Sequence, residues 1–203
     1  MSRLLMVRHG DTELNNTEKW YGYSDVRLSA AGFRQAERLR DRLAVEKIDA
    51  IYSSDLSRAS VTAEVVASRH SLGVVICNEL REINLGELER LTFAEISRLY
   101  PEVARLWTER SMKLCAPSGE SLDEFNKRVS RFLGRLEKHN PGETVLIVAH
   151  SGSLRLLICN LLGIGLQHWW QVRLDLASLS IMETYPEGTI LSLLNDVSHL
   201  AQV

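Results

Sequence analysis

Three apolar runs in the chain each end abruptly in basic or hydroxyl-bearing residues. LLMV is followed by Arg8 and His9, AIY by the segment from Ser53 to Arg58, and VLIVA by His150. Short apolar runs of this kind are typical of buried strands. In open α/β sheets, the carboxyl ends of parallel strands form the edge at which ligands bind. We therefore expect these polar side chains to converge on one pocket.

Helical segments alternate with the strands. Ser29 is a predicted N-cap for a helix with a regular apolar spacing, at Phe33, Ala36, Leu39 and Leu43. Further helices are predicted at 57–70, 93–100, 102–110, 122–136 and 151–162. GVVIC is a predicted strand, and SLSIMET and TILSLLN form a predicted hairpin around the turn PEG. This order predicts an α/β fold with three layers, α/β/α, around a central, mostly parallel sheet.

Length and composition favour a single domain over residues 1–203. A chain of 203 residues with 45% apolar content can bury a sizeable core. Residues 78–120 differ from the rest, because an irregular stretch and two short helices around Pro101 precede a loop with Pro117 and Gly119. We interpret residues 78–120 as a small helical insertion, or lid, over the pocket.

Charge and cysteine content narrow the range of partners. The formal net charge of −2 offers no basic excess for nucleic acid. No apolar run reaches the length of a membrane span or resembles a signal peptide, so we expect a cytoplasmic protein that does not bind a membrane. Three cysteines without a CxxC pair argue against disulfides or a zinc cluster. The expected partner is a small molecule, and the sequence leaves a homodimer open.

The basic residues at the predicted sheet edge favour a phosphoryl ligand. These residues are Arg8, His9, Arg58 and His150. A guanidinium matches phosphate oxygens bidentately, and four basic groups exceed what one carboxylate needs. An imidazole can attack phosphorus while its neighbours stabilise the transferred charge, so neither a metal nor another cofactor is required. Gly10 and Gly152 would leave room for the bound group.

Six motifs follow one another along the chain: RHGDTELN, GYSDVRLSAAGFRQA, SSDLSRASVTA, LREINLGELE, PSGES and VLIVAHSGSLR. In this order they resemble the histidine phosphatase superfamily, also called the phosphoglycerate mutase-like family. The resemblance covers the chain from the first strand to the last large helix. It implies the phosphoglycerate mutase-like fold and a metal-independent phosphoric monoester hydrolase that forms a phosphohistidine intermediate on a small phosphate monoester.

The resemblance also implies roles for individual residues. His9 corresponds to the nucleophile, and Glu82 to the acid that protonates the leaving oxygen and then activates water. Arg8, Arg58 and His150 complete the catalytic phosphate pocket. Further contacts to the substrate are implied for Asn15, Thr12 and the backbone N–H of Ser151.

Several alternatives stay open at this point. A structural role is the alternative for each histidine, and a surface ion pair for each arginine. Three carboxylates compete with Glu82 for the acid role: Glu79, Glu87 and Glu89. Leu88 and Arg90 stand where many relatives have tryptophan and glycine, and Arg90 either points to solvent or adds a cation at the substrate's distal end. An aromatic wall over the site is a further option for Trp20, Tyr21 and Trp107.

Within the family, the segment from Leu154 to Gly188 resembles α-ribazole phosphatases. These enzymes remove the 5′-phosphate of α-ribazole phosphate, or of the corresponding cobamide, in cobalamin biosynthesis. A phosphoserine or broad-specificity phosphatase is the alternative, and a phosphoglycerate mutase fits less well because the extra insertions and shielding tail of mutases are not seen. A catalytically idle module that binds phosphorylated ligands is the non-enzymatic alternative. A nucleotide-binding module is disfavoured because neither GxGxxG nor GxxxxGK[ST] follows a strand.

Overall fold

A computed structural model of the protein describes residues 2–201. Six strands form one sheet: β1 (Ser2–Arg8), β2 (Ala50–Ser53), β3 (Val74–Ile76), β4 (Thr144–Ala149), β5 (Leu179–Tyr185) and β6 (Gly188–Asp196). Their spatial order is β3-β2-β4-β1-β5-β6. The pairs from β3 to β1 are parallel, and the hairpin of β5 and β6 adds two antiparallel pairs. The mostly parallel sheet predicted from the sequence is confirmed.

Six α-helices accompany the sheet: α1 (Ala30–Leu43), α2 (Ser57–Ala67), α3 (Phe93–Leu99), α4 (Pro101–Thr108), α5 (Leu122–Leu136) and α6 (Ser151–Leu162). Short 3₁₀ helices lie at Asn78–Leu80, Gly86–Leu88, Leu166–Gln171 and Ser198–Leu200. Between residues 2 and 201, no helix is long and apolar enough to cross a membrane.

The alternating side chains of β1 explain the three layers. Leu4 and Met6 point to one face, where α5 and α6 cover them, and Leu5 and Val7 point to the other face, where α1 and α2 pack. All six residues of β4 are buried, because this strand lies between β2 and β1 and has helices on both faces. The α/β/α architecture is therefore the one predicted.

The helix starts follow the predicted capping residues. Ser29 Oγ accepts a hydrogen bond from the N–H of Gly32 at 3.1 Å, and Ser121 forms a capping box with Glu124. Pro101 occupies the first turn of α4 rather than a linker, since its fixed φ suits that position. The α2 helix ends at Ala67, three residues before the predicted end.

One residue of the predicted apolar stripe of α1 lies on the surface. Phe33 is 47% exposed, whereas Ala36, Leu39 and Leu43 are buried. Gly32 takes the buried position in the first turn of the helix. A Cβ atom on Gly32 would lie 2.0 Å from the backbone oxygen of Asp11, so the chain approaches α1 too closely for any side chain there.

Residues 78–120 begin with Leu80 packed in the apolar cluster on one face of the sheet. They contain α3 and α4, which pack on a separate apolar cluster: Leu85, Leu88, Ile96, Val103, Ala104 and Ala116. Trp20, from the loop after β1, packs against the same cluster. That this segment is an insertion within a single domain stays a prediction.

The close contact between the loop after β1 and α1 generates a stability prediction. Gly10 shares this contact, since a Cβ on it would lie 2.6 Å from the carbonyl oxygen of Gly32. We expect Gly32→Ala to lower the free energy of unfolding by about 1–3 kcal/mol through overpacking. Gly134→Ala in α5 is the matched control, because no atom lies within 4 Å of its added Cβ. Relief of the glycine penalty should stabilise that variant by about 0.5–1 kcal/mol in urea unfolding.

Equal unfolding midpoints for the two variants would contradict this account of the loop contact.

Candidate active site

The carboxyl ends of β1, β2 and β4 bring the predicted basic residues together. His9 follows β1, Arg58 lies in the first turn of α2, and His150 immediately precedes α6. The backbone N–H of His9 donates to the carbonyl of Ala149 at 3.0 Å, so the parallel pairing continues into the site. The centroids of the two imidazole rings are 5.1 Å apart.

His9 is held as a neutral ring with a free nitrogen. Its Nδ1 lies 2.7 Å from the carbonyl oxygen of Gly10, which can only accept, so Nδ1 carries the proton. Nε2 then keeps its lone pair. Burial lowers the pKa of His9 well below its usual value, and the charges of Arg58 and Arg8 lower it further. His9 lines a cavity at this edge of the sheet, so an uncharged imidazole faces the ligand space.

His150 is completely buried beside His9 and is not among the residues that line the cavity. Its Nδ1 accepts a hydrogen bond from Nε of Arg58 at 3.2 Å, so its Nε2 carries the proton and donates to Ser54 Oγ at 2.9 Å. Burial lowers the pKa of His150 well below its usual value, and the positive charge of Arg58 lowers it further. Ser54 was not predicted as a site residue.

The guanidinium of Arg58 is buried, and no carboxylate among residues 2–201 bonds to it. Besides His150, it donates to the carbonyl oxygens of Ser24 at 2.9 Å and Gly22 at 2.7 Å. The ring of Tyr21 lies 5.1 Å from its central carbon. Burial lowers the pKa of Arg58, but a guanidinium stays charged in proteins. The surface ion pair that the sequence left open for Arg58 is therefore not what the structure shows.

Glu89 holds the loop that binds Arg58. Its carboxylate accepts the backbone N–H groups of Gly22, Tyr23 and Ser24 at 2.8–3.1 Å. Gly22 and Ser24 are also the residues whose carbonyl oxygens receive the guanidinium. From the sequence, Glu89 was only an alternative to Glu82 as the acid. Its role in holding the loop was not predicted, because its partners in the loop lie more than 60 residues away.

Glu82 is the carboxylate of its segment that lines the cavity. It accepts the N–H of Gly152 at 2.9 Å and that of Ile83 at 3.0 Å. Of the three alternatives, Glu79 pairs with Arg135 at 2.8 Å, while Glu87 bonds hydroxyl groups at the surface and Glu89 binds the loop.

The two glycines of the predicted pocket make room for protein atoms. A Cβ on Gly152 would lie 2.2 Å from Oε1 of Glu82, so this glycine admits the carboxylate. Gly10 faces the backbone of Gly32. Each glycine therefore marks a close approach within the protein, and Gly152 also lines the cavity. That the two glycines leave room for a bound group stays a prediction.

Arg8 and Asn15 direct donors to the cavity that they line. Arg8 Nη1 donates to the carbonyl of Leu174 at 2.7 Å, while its buried Nε has no hydrogen-bond partner among residues 2–201. Burial lowers the pKa of Arg8. Asn15 Oδ1 accepts from both the N–H and Oγ1 of Thr12 at 2.7 Å, which leaves the amide nitrogen of Asn15 for a ligand.

Thr12 lies one layer behind the surface of the cavity. It is 1% exposed and does not belong to the lining, because its hydroxyl group bonds Asn15 and receives the Tyr21 hydroxyl at 2.8 Å. Thr12 thus orients two lining residues. Ser151 does line the cavity, in the first turn of α6.

An ion pair that the sequence did not reveal supports the segment of Glu82. Arg128 is 9% exposed, and both oxygens of Glu120 accept from it at 2.7 and 2.8 Å. Its other hydrogen bonds reach four carbonyl oxygens between residues 78 and 82, including Glu82 O at 2.9 Å. A signal was present, because Arg128 interrupts the buried apolar stripe of α5.

The far end of the cavity is apolar and aromatic. The cavity measures about 300 Å³. Trp20, Trp107 and Trp169 form the aromatic lining of this end, with Leu88 in its wall, while Tyr21 lines the cavity beside Arg58. The ring centroids of Trp20 and Trp107 are 4.3 Å apart. Arg90 is exposed and does not line the cavity. Its φ of 66° is a left-handed conformation, which explains why many relatives have glycine at this position.

Backbone pairing joins this wall to the loop after β1. The N–H of Trp20 donates to the carbonyl of Leu91 at 2.8 Å, and the N–H of Arg90 donates to the carbonyl of Trp20 at 2.7 Å. The aromatic wall is therefore built jointly by the loop and by residues 78–120.

Comparison with known proteins identifies the family. The model of the histidine phosphatase superfamily, branch 1, matches residues 4–197. The chain belongs to this superfamily. Phosphoserine phosphatase 1 of Hydrogenobacter thermophilus is 34% identical over 100% of this chain and 96% of the relative. Adenosylcobalamin/alpha-ribazole phosphatase of Escherichia coli is 31% identical over 95% of each. The crystal structure of the alpha-ribazole phosphatase of Shigella flexneri is 31% identical, with a TM-score of 0.90 over 96% of both chains.

This histidine phosphatase is thus an enzyme of the phosphoric monoester hydrolase class that acts on small phosphate esters. Its predicted phosphoglycerate mutase-like fold is confirmed by the structural match. The relatives named above are phosphatases with different substrates. The comparison therefore identifies the reaction, hydrolysis of a phosphate ester, but not the substrate.

The lowered pKa values of His9 and His150 make the stability of this histidine phosphatase depend on pH. In the unfolded chain a histidine takes up a proton near pH 6.5, whereas both buried rings resist it. The unfolded state therefore binds more protons below about pH 6.5, and stability is lost as the pH falls. His9→Gln should reduce the slope of unfolding free energy against pH by up to about 1.4 kcal/mol per unit between pH 6 and 5.

The control is the same substitution at the exposed His168, which measures the effect of removing an imidazole outside the site. Parallel stability curves for wild type and His9→Gln would show that His9 takes up its proton equally in both states.

Proposed function

We propose that this histidine phosphatase hydrolyses α-ribazole 5′-phosphate through a phosphohistidine formed on His9, without a metal ion. The observation that carries the chemistry is the hydrogen bond from Nδ1 of His9 to the carbonyl of Gly10. It leaves Nε2 as a neutral nucleophile in the cavity, where burial and the charges of Arg58 and Arg8 oppose protonation of the ring.

In the proposed first step, Nε2 of His9 attacks phosphorus and the bond to the leaving oxygen breaks. Arg8 and Arg58 stabilise the charge on the transferred group, which is mostly an electrostatic task. The amide nitrogen of Asn15 and the N–H of Ser151 add donors, the latter at the positive end of the α6 dipole. His150 fixes Nε of Arg58 and lies beside the ring of His9.

Glu82 serves both steps of the proposed reaction. It enters the first step protonated and gives its proton to the leaving oxygen, so that an alcohol departs. The resulting carboxylate then takes a proton from the water that attacks phosphorus, the P–N bond breaks, and His9 is restored. The contacts of Glu82 with the N–H groups of Gly152 and Ile83 fix the carboxyl group at the N-terminus of α6.

The role of Glu82 is tested by the leaving group of the substrate. Glu82→Gln should lower kcat/KM at least 100-fold on alkyl phosphates, since general acid catalysis contributes on the order of 10²–10⁴-fold. On p-nitrophenyl phosphate, the leaving oxygen needs little protonation. The rate at which the bond from phosphorus to that oxygen breaks should therefore fall less than tenfold. Acid-quench labelling should trap phosphate on wild type and Glu82→Gln, and not on His9→Ala.

Equal losses on both substrates would remove Glu82 from the acid role, and labelling of His9→Ala would remove His9 from the nucleophile role.

The apolar end of the cavity supports α-ribazole as the organic group. Its benzimidazole is a flat aromatic system with two methyl groups, which matches walls formed by Trp20, Trp107 and Trp169. Phosphoserine would instead bring an ammonium group into a cavity whose lining has a single carboxylate, Glu82. The observation that favours phosphoserine is Arg155, a cation in the lining that suits a carboxylate.

A substrate panel distinguishes these two. We expect kcat/KM for α-ribazole 5′-phosphate to exceed that for phosphoserine by at least tenfold, with ribose 5-phosphate, which lacks the base, close to phosphoserine. Trp107→Ala should reduce the preference for α-ribazole phosphate over ribose 5-phosphate, because it removes part of the aromatic wall. A preference for phosphoserine would overturn the proposed substrate and leave the mechanism standing.

A further inference from the structure

The cavity continues into an adjoining groove of about 140 Å³, which we call the distal groove. The two spaces share five lining residues: Trp107, Leu114, Leu122, Arg155 and Trp169. The distal groove adds Arg110 and Trp170 to its wall. A substrate bound at His9 can therefore extend past Arg155 without leaving the protein surface.

Two arginines face the distal groove without a carboxylate partner. Arg155 donates from Nε to the carbonyl of Val172 at 2.6 Å, while its two terminal nitrogens make no hydrogen bond or ion pair with residues 2–201. Arg110 stacks on Trp170, with its central carbon 3.9 Å from the ring centroid, and it too has no ion pair in the described part of the chain. The residues that line the groove include no aspartate or glutamate.

Partial burial makes Arg155 a stronger site for an anion. Burial lowers the pKa of Arg155, against the attraction of Glu82, and the charges of Arg8 and Arg110 lower it further. A charge in a partly desolvated position interacts more strongly with a counter-charge than a charge in water does. An anionic ligand would satisfy both the charge and the free N–H groups.

The helix places Arg155 beyond the phosphoryl group. It lies four residues after Ser151 in α6, which is about 6 Å further along the axis. Ser151 is the residue whose N–H we assign to the phosphoryl group. Arg155 is therefore spaced to meet a second group on the same substrate.

We infer that the distal groove is a second anion subsite, in which Arg155, assisted by Arg110, binds an anionic substituent on the organic part of the substrate. The inference rests on the proposed binding of the phosphoryl group at His9. The recognised chemistry is a carboxylate or a phosphodiester oxygen, and the aromatic rings of Trp169 and Trp170 cover the apolar atoms beside it. An α-ribazole phosphate with a further anionic substituent would then bind better than the unsubstituted compound.

Matched substrate pairs test the subsite directly. The first pair is 3-phosphoglycerate and glycerol 3-phosphate, which differ in a carboxylate. The second is thymidine 5′-phosphate with and without a methyl phosphodiester at the 3′ oxygen. In the wild-type protein, kcat/KM should be at least about tenfold higher for the anionic member of at least one pair, because its KM is lower. Whichever pair shows the preference identifies the anion.

Substitutions of the two arginines complete the test. Arg155→Gln should reduce that preference at least fivefold by raising KM for the anionic member more than for its counterpart without the second anionic group, and Arg155→Lys should restore part of it. Arg110→Gln should have a smaller effect in the same direction. Arg98→Gln, an exposed arginine on α3 outside the groove, removes the same charge and should leave the preference unchanged.

Two results would overturn the subsite: no preference for the anionic member of either pair in wild type, or an undiminished preference in Arg155→Gln. The wild-type comparison stands even if a variant fails to fold. Loss of p-nitrophenyl phosphate turnover or of phosphate labelling in wild type would instead contradict the proposed function, so the two failures are distinguishable.

Discussion

Arg58 carries a full positive charge into the interior at the edge of the sheet, and much of the site is arranged around that charge. Peptide carbonyls and one imidazole nitrogen receive its N–H groups, and Glu89 fixes the loop that supplies those carbonyls. Such a solution satisfies the donors without neutralising the cation. Burial lowers the pKa values of His9 and His150, and the remaining positive potential lowers them further, so both rings stay uncharged. A carboxylate bonded to the guanidinium would have weakened this effect.

The fold and the basic part of the site could be predicted because their signals are local. Apolar runs mark β1, β2 and β4, and each run is followed directly by the polar residues that the sheet brings together. The supporting carboxylates could not be predicted in the same way. Glu89 and Glu120 act on backbone groups tens of residues away, and a sequence pattern does not record which peptide a side chain will meet.

Other differences between sequence and structure have a common physical cause, which is close packing of protein atoms against a glycine. Gly10, Gly32 and Gly152 each stand where a neighbouring chain segment leaves no room for a Cβ atom. The sequence shows that glycine is present, but not whether a ligand, a helix or a carboxylate lies against it. Phe33 is exposed for the same reason, since Gly32 occupies the buried position of the first helical turn.

The pairing of Trp20 with Leu91 and Arg90 ties the loop after β1 to the segment 78–120. The same loop supplies Asn15 and Tyr21 to the phosphoryl end of the cavity, while the segment supplies Glu82 and the apolar wall. These two stretches form one unit for protein engineering. If residues 78–120 were replaced by the segment of a relative with another substrate, the new segment would pair with the loop of this chain and not with its own. A functional exchange must therefore carry residues 15–24 as well.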